Sequence, residues 1–157
     1  MSAARHASLE LRPAALADVD ALTELEELVF GEMVHRISRR QWRYLVSRAG
    51  SRTILAEEAG RLLGALVLTC RAGGQVVRIY SLAVHPDARR RGIAKRFLDE
   101  TETFARRQSF AAIHLEVSPS NRPAIALYRA AGFRELSTLR DYYGLGEDGL
   151  RMERRLA

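Results

Sequence analysis

The stretch Tyr80–Arg96, YSLAVHPDARRRGIAKR, constrains this chain more than any other. It begins as an apolar strand (Ile79, Leu82, Val84) and is halted by His85-Pro86-Asp87. It then passes through Arg89, Arg90 and Arg91 into Gly92-Ile93-Ala94-Lys95 and continues at helical spacing. The first amides of a helix have no intrahelical acceptor, and the macrodipole adds roughly half a positive charge there. Three guanidiniums and a glycine that lets a ligand approach the backbone complete an anion cradle, read here as a pyrophosphate site. A dinucleotide fingerprint would need G-x-G-x-x-G and a nucleotide P-loop G-x-x-x-x-G-K-[ST]; neither is present. The plainer alternative is a basic helix start after a proline turn.

At 157 residues the chain is expected to form one domain, 1–157, with a substantial core. Its 47% hydrophobic and 28% charged residues are those of a soluble globular protein. A single cysteine, Cys70, excludes an intramolecular disulfide; in an apolar strand it reads as a buried, inert thiol. The N-terminus carries no apolar leader pattern and no run is long enough to span a membrane, so a cytoplasmic location without a membrane partner is expected. A net charge of +6 invites a nucleic-acid reading. Against it, the arginines are scattered, only Lys95 is a lysine, and no recognition-helix pattern appears, so no nucleic-acid partner is expected. His6, His35, His85 and His114 lack ligand spacing, and no metal is expected.

Ser8–Arg12 alternates as a first strand that Pro13 ends. Leu16, Val19, Leu22, Leu25, Leu28 and Val29 recur at helical spacing, and Gly31 breaks that helix. A second helical piece spans Ser38–Arg48, with Trp42 and Leu45 inward. Strands follow at Thr53–Glu57, Leu62–Arg71 and Gln75–Val84, joined by turns at Glu58-Ala59-Gly60 and Ala72-Gly73-Gly74. A helix then turns Ile93, Phe97, Leu98, Thr101 and Phe104 inward and ends at Arg106-Arg107, before a strand at Ala111–Val117. Strand, helix, strand implies a right-handed crossover and a parallel pair with the ligand at the strands' carboxyl ends. Pro123 suits the first turn of a further helix and Gly132 its left-handed end. Phe133–Asp141 and Leu150–Leu156 read as two last strands, with Tyr142–Gly149 a loop between them.

Arg89-Arg90-Arg91-Gly92-Ile93-Ala94 resembles the [QR]-x-x-G-x-[GA] motif of the GNAT N-acetyltransferases. Further elements stand in the same order: Leu82-Ala83-Val84, Leu115-Glu116-Val117, Asn121, Ala124, Leu127-Tyr128, Gly132-Phe133 and Tyr142-Tyr143. From about residue 76 onward the chain resembles RimI-type protein N-terminal acetyltransferases, whereas the first 75 residues match in outline only. The resemblance implies a mixed α/β fold. Its mostly antiparallel sheet would have about seven strands and about four flanking helices, with a splayed parallel pair formed by Gln75–Val84 and Ala111–Val117.

It also implies acetyl-CoA as cosubstrate, held by Arg89–Lys95 and Asn121, with the acetyl arm on the backbone of Leu82, Ala83 and Val84. Glu116 would be the general base. It shares a strand face with His114, and a carboxylate in a central strand is costly to bury unless paired; the alternative is a salt-bridged glutamate. His114 is either a proton relay or a packed histidine. Tyr128 would protonate the departing thiolate, the alternative being plain packing; Asn121 could equally be a helix cap. Tyr142 and Tyr143 would border the acceptor groove. The acidic run Glu24, Glu26, Glu27, Glu32 is either a lure for a cationic acceptor or a solvated helix face. The expected activity is acyl transfer to the α-amine of a protein or peptide N-terminus. The alternatives are transfer to a small amine or a lysine side chain, or a non-catalytic coenzyme A- or nucleic-acid-binding protein.

Overall fold

The computed structural model describes residues 8–31 and 36–156. Among these residues seven strands form one sheet: β1 (Glu10–Pro13), β2 (Ser51–Glu58), β3 (Arg61–Cys70), β4 (Val76–Val84), β5 (Ala112–Val117), β6 (Arg134–Gly144) and β7 (Glu147–Arg155). Their spatial order is β1-β2-β3-β4-β5-β7-β6, and every neighbouring pair is antiparallel except β4–β5. Among the described residues four helices flank it: α1 (Val19–Phe30), α2 (Arg39–Ser47), α3 (Ile93–Arg107) and α4 (Arg122–Ala130). The mixed α/β architecture with its parallel pair is as expected.

The sheet separates two apolar cores. Leu66 and Leu68 of β3 face Val77, Ile79, Phe97, Ile113 and Leu115 on the side of α3 and α4, while Ala65 and Val67 face Leu22, Trp42 and Leu45 on the side of α1 and α2. A strand covered on both faces has no solvent side to alternate with, hence its near-continuous apolar run. The β2–β3 hairpin turns on Ala59 (φ 52°) and Gly60 (φ 76°), the paired left-handed geometry that matches strand twist. Gly64 lets α3 close onto β3: a Cβ there would lie 2.9 Å from the Phe97 ring.

Helix ends follow local chemistry. Gly31 closes α1, its N–H donating to the Glu27 carbonyl at 2.8 Å. Ser38 and Gln41 cap α2 reciprocally, with Gln41 N–H donating to Ser38 Oγ and Ser38 N–H to Gln41 Oε1.

Several expectations are corrected. The first strand runs Glu10–Pro13, so Pro13 is its last residue rather than its stop. Leu16 and Leu28 are 61% and 54% exposed. Leu16 lies in a separate 3-10 turn, and Leu28 sits about 100° round the helix from Val29. In α3, Ile93, Phe97, Leu98 and Thr101 are buried as expected, Ala105 joins them, and Phe104 is half-buried against the same core and Phe110. Cys70, at the end of β3, is half-buried and free. The expected loop Tyr142–Gly149 is mostly strand: Tyr142, Tyr143 and Gly144 belong to β6, and Glu147, Asp148 and Gly149 to β7. Its glycines suggested a loop, but Gly149 is a platform, with a Cβ there falling 2.9 Å from Tyr142.

Candidate active site

The parallel pair is short. β4 and β5 are in register only from Val76↔Ala112 to Ile79↔Leu115. At Tyr80 the β3–β4 register slips by one residue, a bulge that redirects the strand beyond it. Ser81–Val84 stay paired with β3, so their β5-facing backbone edge has no strand partner. A cavity of about 1110 Å³ opens in that gap.

Leu82, Glu116, Asn121, Tyr128, Tyr142 and Tyr143 all line this cavity, so the structure brings them together from four elements and a loop. Ala83 does not line it; its side chain is buried in the α1/α2 core, while Val84 packs against the other core. His114 is also absent from its walls: its Nε2 lies 2.7 Å from Glu153 Oε2 across the β5–β7 register. The histidine is paired rather than pointed along a relay.

The Glu116 side chain is only 5% exposed. Arg78 Nε donates to its Oε2 at 2.8 Å, and Arg151 donates to its Oε1 from Nη2 at 3.1 Å and Nε at 3.3 Å. A carboxylate buried this deeply needs such partners. Arg78 also donates from Nη2 to the Tyr142 hydroxyl at 2.6 Å, tying Glu116 to the far wall of the cavity. Neither arginine was singled out in the sequence. The signal was there: Arg78 interrupts the apolar run Val76-Val77-Ile79.

The aromatic wall is electrically quiet at neutral pH. Burial pushes the Tyr128 hydroxyl above the ordinary tyrosine range, which keeps it protonated. Burial, with Tyr142 and Glu116 nearby, pushes Tyr143 up to about 12. The rings of Tyr142 and Tyr143 meet edge to face at 4.9 Å.

The acidic run on α1 divides. Glu24 and Glu27 are exposed, as a solvated face requires, and Glu32 lies outside the described residues, as do His6 and His35. Glu26, by contrast, is only 3% exposed and lines the cavity. Its position, seven residues after Val19 and four after Leu22, puts it on the apolar stripe. Its Oε1 accepts from Ile37 N–H at 2.8 Å, and its Oε2 has no partner among the described residues.

Burial raises the Glu26 carboxyl above the ordinary carboxylate range. A raised folded-state value means stability that is present at low pH and lost as pH rises through that value. Glu26→Gln is therefore expected to melt a few degrees higher than the natural chain at pH 7, with the difference vanishing below the ordinary carboxyl range. Thermal melts across that pH series check it.

At the cradle, His85 Nδ1 accepts from Asp87 N–H, shaping a 3-10 turn over Pro86–Ala88. Arg90 (φ 64°) and Gly92 (φ 78°) then turn the chain into α3, and apart from the adjoining backbone no heavy atom of the described residues lies within 4 Å of a Cβ built on Gly92. Arg91 differs from expectation: its guanidinium is ion-paired with Glu58. Arg89, Arg90 and Lys95 are exposed, with no ion-pair partner among the described residues, whereas the Ile93 side chain is core and leaves only its backbone to a ligand. Asn121 caps α4, its Oδ1 accepting from Ala124 N–H at 3.3 Å, and also lines the cavity, so it meets both readings' geometry.

The cradle fits a phosphate group: open backbone, a helix start and uncommitted cations. Gly92→Glu adds bulk and negative charge there. Coenzyme A affinity is expected to fall at least tenfold, about 1.4 kcal/mol, which calorimetric titration checks. Among the described residues no group of three or more His, Cys, Asp or Glu could hold a metal ion.

Residues 19–133 match the model of the acetyltransferase (GNAT) family, and the chain belongs to that family. It is 39% identical over 79 residues to an N-alpha-acetyltransferase of Saccharolobus solfataricus, covering 50% of this chain and 47% of that one. It is 37% identical over 65 residues to the ribosomal protein bS18-alanine N-acetyltransferase of Escherichia coli K12, covering 41% of this chain and 44% of the relative. The chain thus spans about half the length of the curated relatives it matches. The crystal structure of the Escherichia coli ribosomal-protein-S18-alanine N-acetyltransferase superposes with a TM-score of 0.83 at 21% identity, over 96% of this chain and 95% of that one. That likeness concerns the fold. No helix among the described residues is long and apolar enough to cross a membrane.

Proposed function

We propose that this chain is an acetyl-CoA-dependent N-acetyltransferase that moves the acetyl group directly onto the α-amine of a protein or peptide N-terminus. The observation that carries this reading is one cavity holding an unpaired strand edge, a buried glutamate and a buried phenol. The names of the two relatives favour the N-terminal acceptor.

Acetyl-CoA supplies the thioester. Arg89, Arg90, Lys95 and the first amides of α3 would hold its phosphates, with Arg91 contributing backbone while its guanidinium stays on Glu58. The free edge of Leu82, Ala83 and Val84 would orient the acetyl arm and donate an N–H to the carbonyl oxygen as charge develops there. Among the described residues Glu116 Oε2 accepts one bond, from Arg78, and so keeps a lone pair for the proton leaving the acceptor ammonium, directly or through a water. Tyr128 holds a proton at its hydroxyl for the departing sulfur, and its raised pKa keeps that proton in place until the thiolate forms. Tyr142 and Tyr143 form the acceptor-side wall. We place this chemistry in the cytoplasm, where a free thiol such as Cys70 stays reduced.

Model α-amines titrate near 7.7–8.0 and lysine near 10.4, so a far larger share of α-amines is free at about pH 7. A peptide with a free N-terminus is expected to outcompete its N-blocked, lysine-containing counterpart by roughly tenfold or more in kcat/KM, which is about 1.4 kcal/mol. A paired assay, with spermidine and an arylalkylamine as small-amine controls, tests this. A blocked peptide or control that is the better substrate overturns the acceptor and leaves acetyl transfer intact.

A further inference from the structure

A second cavity, of about 670 Å³, opens beside the first, and the two share Arg78 and Glu116 in their walls. The proposed base therefore stands where one trough meets the other. The charge of the second trough is lopsided. Among the described residues Arg48, Arg71, Arg78 and Arg151 line it, against the one carboxylate of Glu116, which Arg78 and Arg151 already neutralise. His114 also faces it, but its ring is held by Glu153. Arg71 is exposed, the Arg48 guanidinium rests 5.5 Å from the Tyr44 ring, and neither has an ion-pair partner among the described residues.

This excess of cations does not serve the coenzyme's phosphates. The trough includes Val76, at the start of β4, whereas the cradle follows Val84 at the strand's other end. Eight strand steps of about 3.3 Å put those ends at most about 26 Å apart, the bulge at Tyr80 shortening the span, and Arg71 lies at the Val76 end, next to Cys70 that pairs with Val77. A concave surface lined by guanidiniums focuses a positive field and suits carboxylates, which arginine binds through two parallel donors.

From these observations we infer that the trough recognises an acidic side chain within the first few residues of the acceptor, so that the preferred substrate is a peptide with an acidic N-terminal region. This rests on the reading that the acceptor is a peptide with a free N-terminus. The reactive amine lies at Glu116, and the chain behind it runs towards Arg48 and Arg71. Arg78 and Arg151 have a double part, bracing Glu116 and adding positive field at the entrance. Nothing in the cradle or the thioester chemistry draws on Arg48 or Arg71, so these two act on the choice of acceptor.

Three peptides of equal length with free N-termini test this, differing only at positions two to four, which carry glutamate, glutamine or lysine. The natural chain is expected to favour the glutamate peptide over the glutamine peptide by roughly tenfold in kcat/KM, mainly through KM, with lysine worst; higher salt should compress the order. A double variant, Arg48→Glu with Arg71→Glu, is expected to reverse the order of the glutamate and lysine peptides. Calorimetric binding of the N-acetylated forms of the same peptides reads the preference without turnover. Equal binding of the glutamate and glutamine forms to the natural chain, or an order unchanged in the double variant, overturns the inference. Binding in the order glutamate, glutamine, lysine with no turnover of any free N-terminus would sustain the trough and instead overturn the proposed acceptor chemistry.

Discussion

Glu116→Gln is expected to lower kcat at pH 7 by roughly 10²–10⁴, with acetyl-CoA binding barely changed. The amide keeps the shape of the side chain but cannot take the acceptor's proton. Raising the pH should restore much of the loss, because more acceptor then arrives already deprotonated. Stability must be followed in parallel. Both oxygens of Glu116 receive guanidinium bonds, and an amide NH2 in place of one oxygen sets donor against donor. Steady-state kinetics over a pH series, with a melt at each point, separates the two effects. A rate that does not recover with pH, in a variant that melts early, would mark Glu116 as a structural anchor. Wild-type turnover at pH 7 would remove it from the chemistry.

Tyr128→Phe is expected to lower kcat by about 10² while leaving the fold in place, since the hydroxyl has no hydrogen-bond partner among the described residues and the ring keeps its contact with Phe133 at 5.9 Å. The sign of its pH dependence follows from its surroundings. Burial raises its pKa, so the natural enzyme should lose this acid only above the ordinary tyrosine range. A basic limb near neutrality must then come from another group. A donor substrate whose leaving thiol is more acidic needs less protonation on departure and should narrow the gap between variant and natural chain. If the gap stays constant across leaving groups, Tyr128 acts by shaping the cavity.

How far the sequence reached depends on the distance over which each feature is encoded. Helix and strand periods, the Ala59-Gly60 turn and the crossover between β4 and β5 are local, and they were legible with boundary errors of a few residues. The residues gathered at the main cavity were legible because resemblance carries their order along the chain. The arginine clamp was not. Arg78, Glu116 and Arg151 become neighbours only through the registers of three strands, two of them separated by a helix and a hairpin. The same holds for Arg91, whose guanidinium goes to Glu58 on a different hairpin. Glu26 was left between two readings for a different reason. Its charge suggested solvent, whereas its spacing from Val19 and Leu22 put it against the core.

A seven-stranded open sheet would ordinarily present two edges, but the divergence of β4 from β5 gives this one a third, facing inward. The outer edges are blunted. β1 is four residues long and ends in proline, and β6 carries Arg134, Glu135, Arg140 and Asp141 along an exposed border. Such features discourage another chain from adding itself as a strand. The inner edge is free of them, being Ser81-Leu82-Ala83-Val84. Its protection comes from walls: β5 on one side, α4 and the segment Ser118–Asn121 beyond it. The protein thus keeps, inside a cleft, the same row of unsatisfied backbone groups that it suppresses on its perimeter. A slender molecule carrying its own amides can complete that row, whereas a second polypeptide strand, with side chains on both faces, meets the walls first.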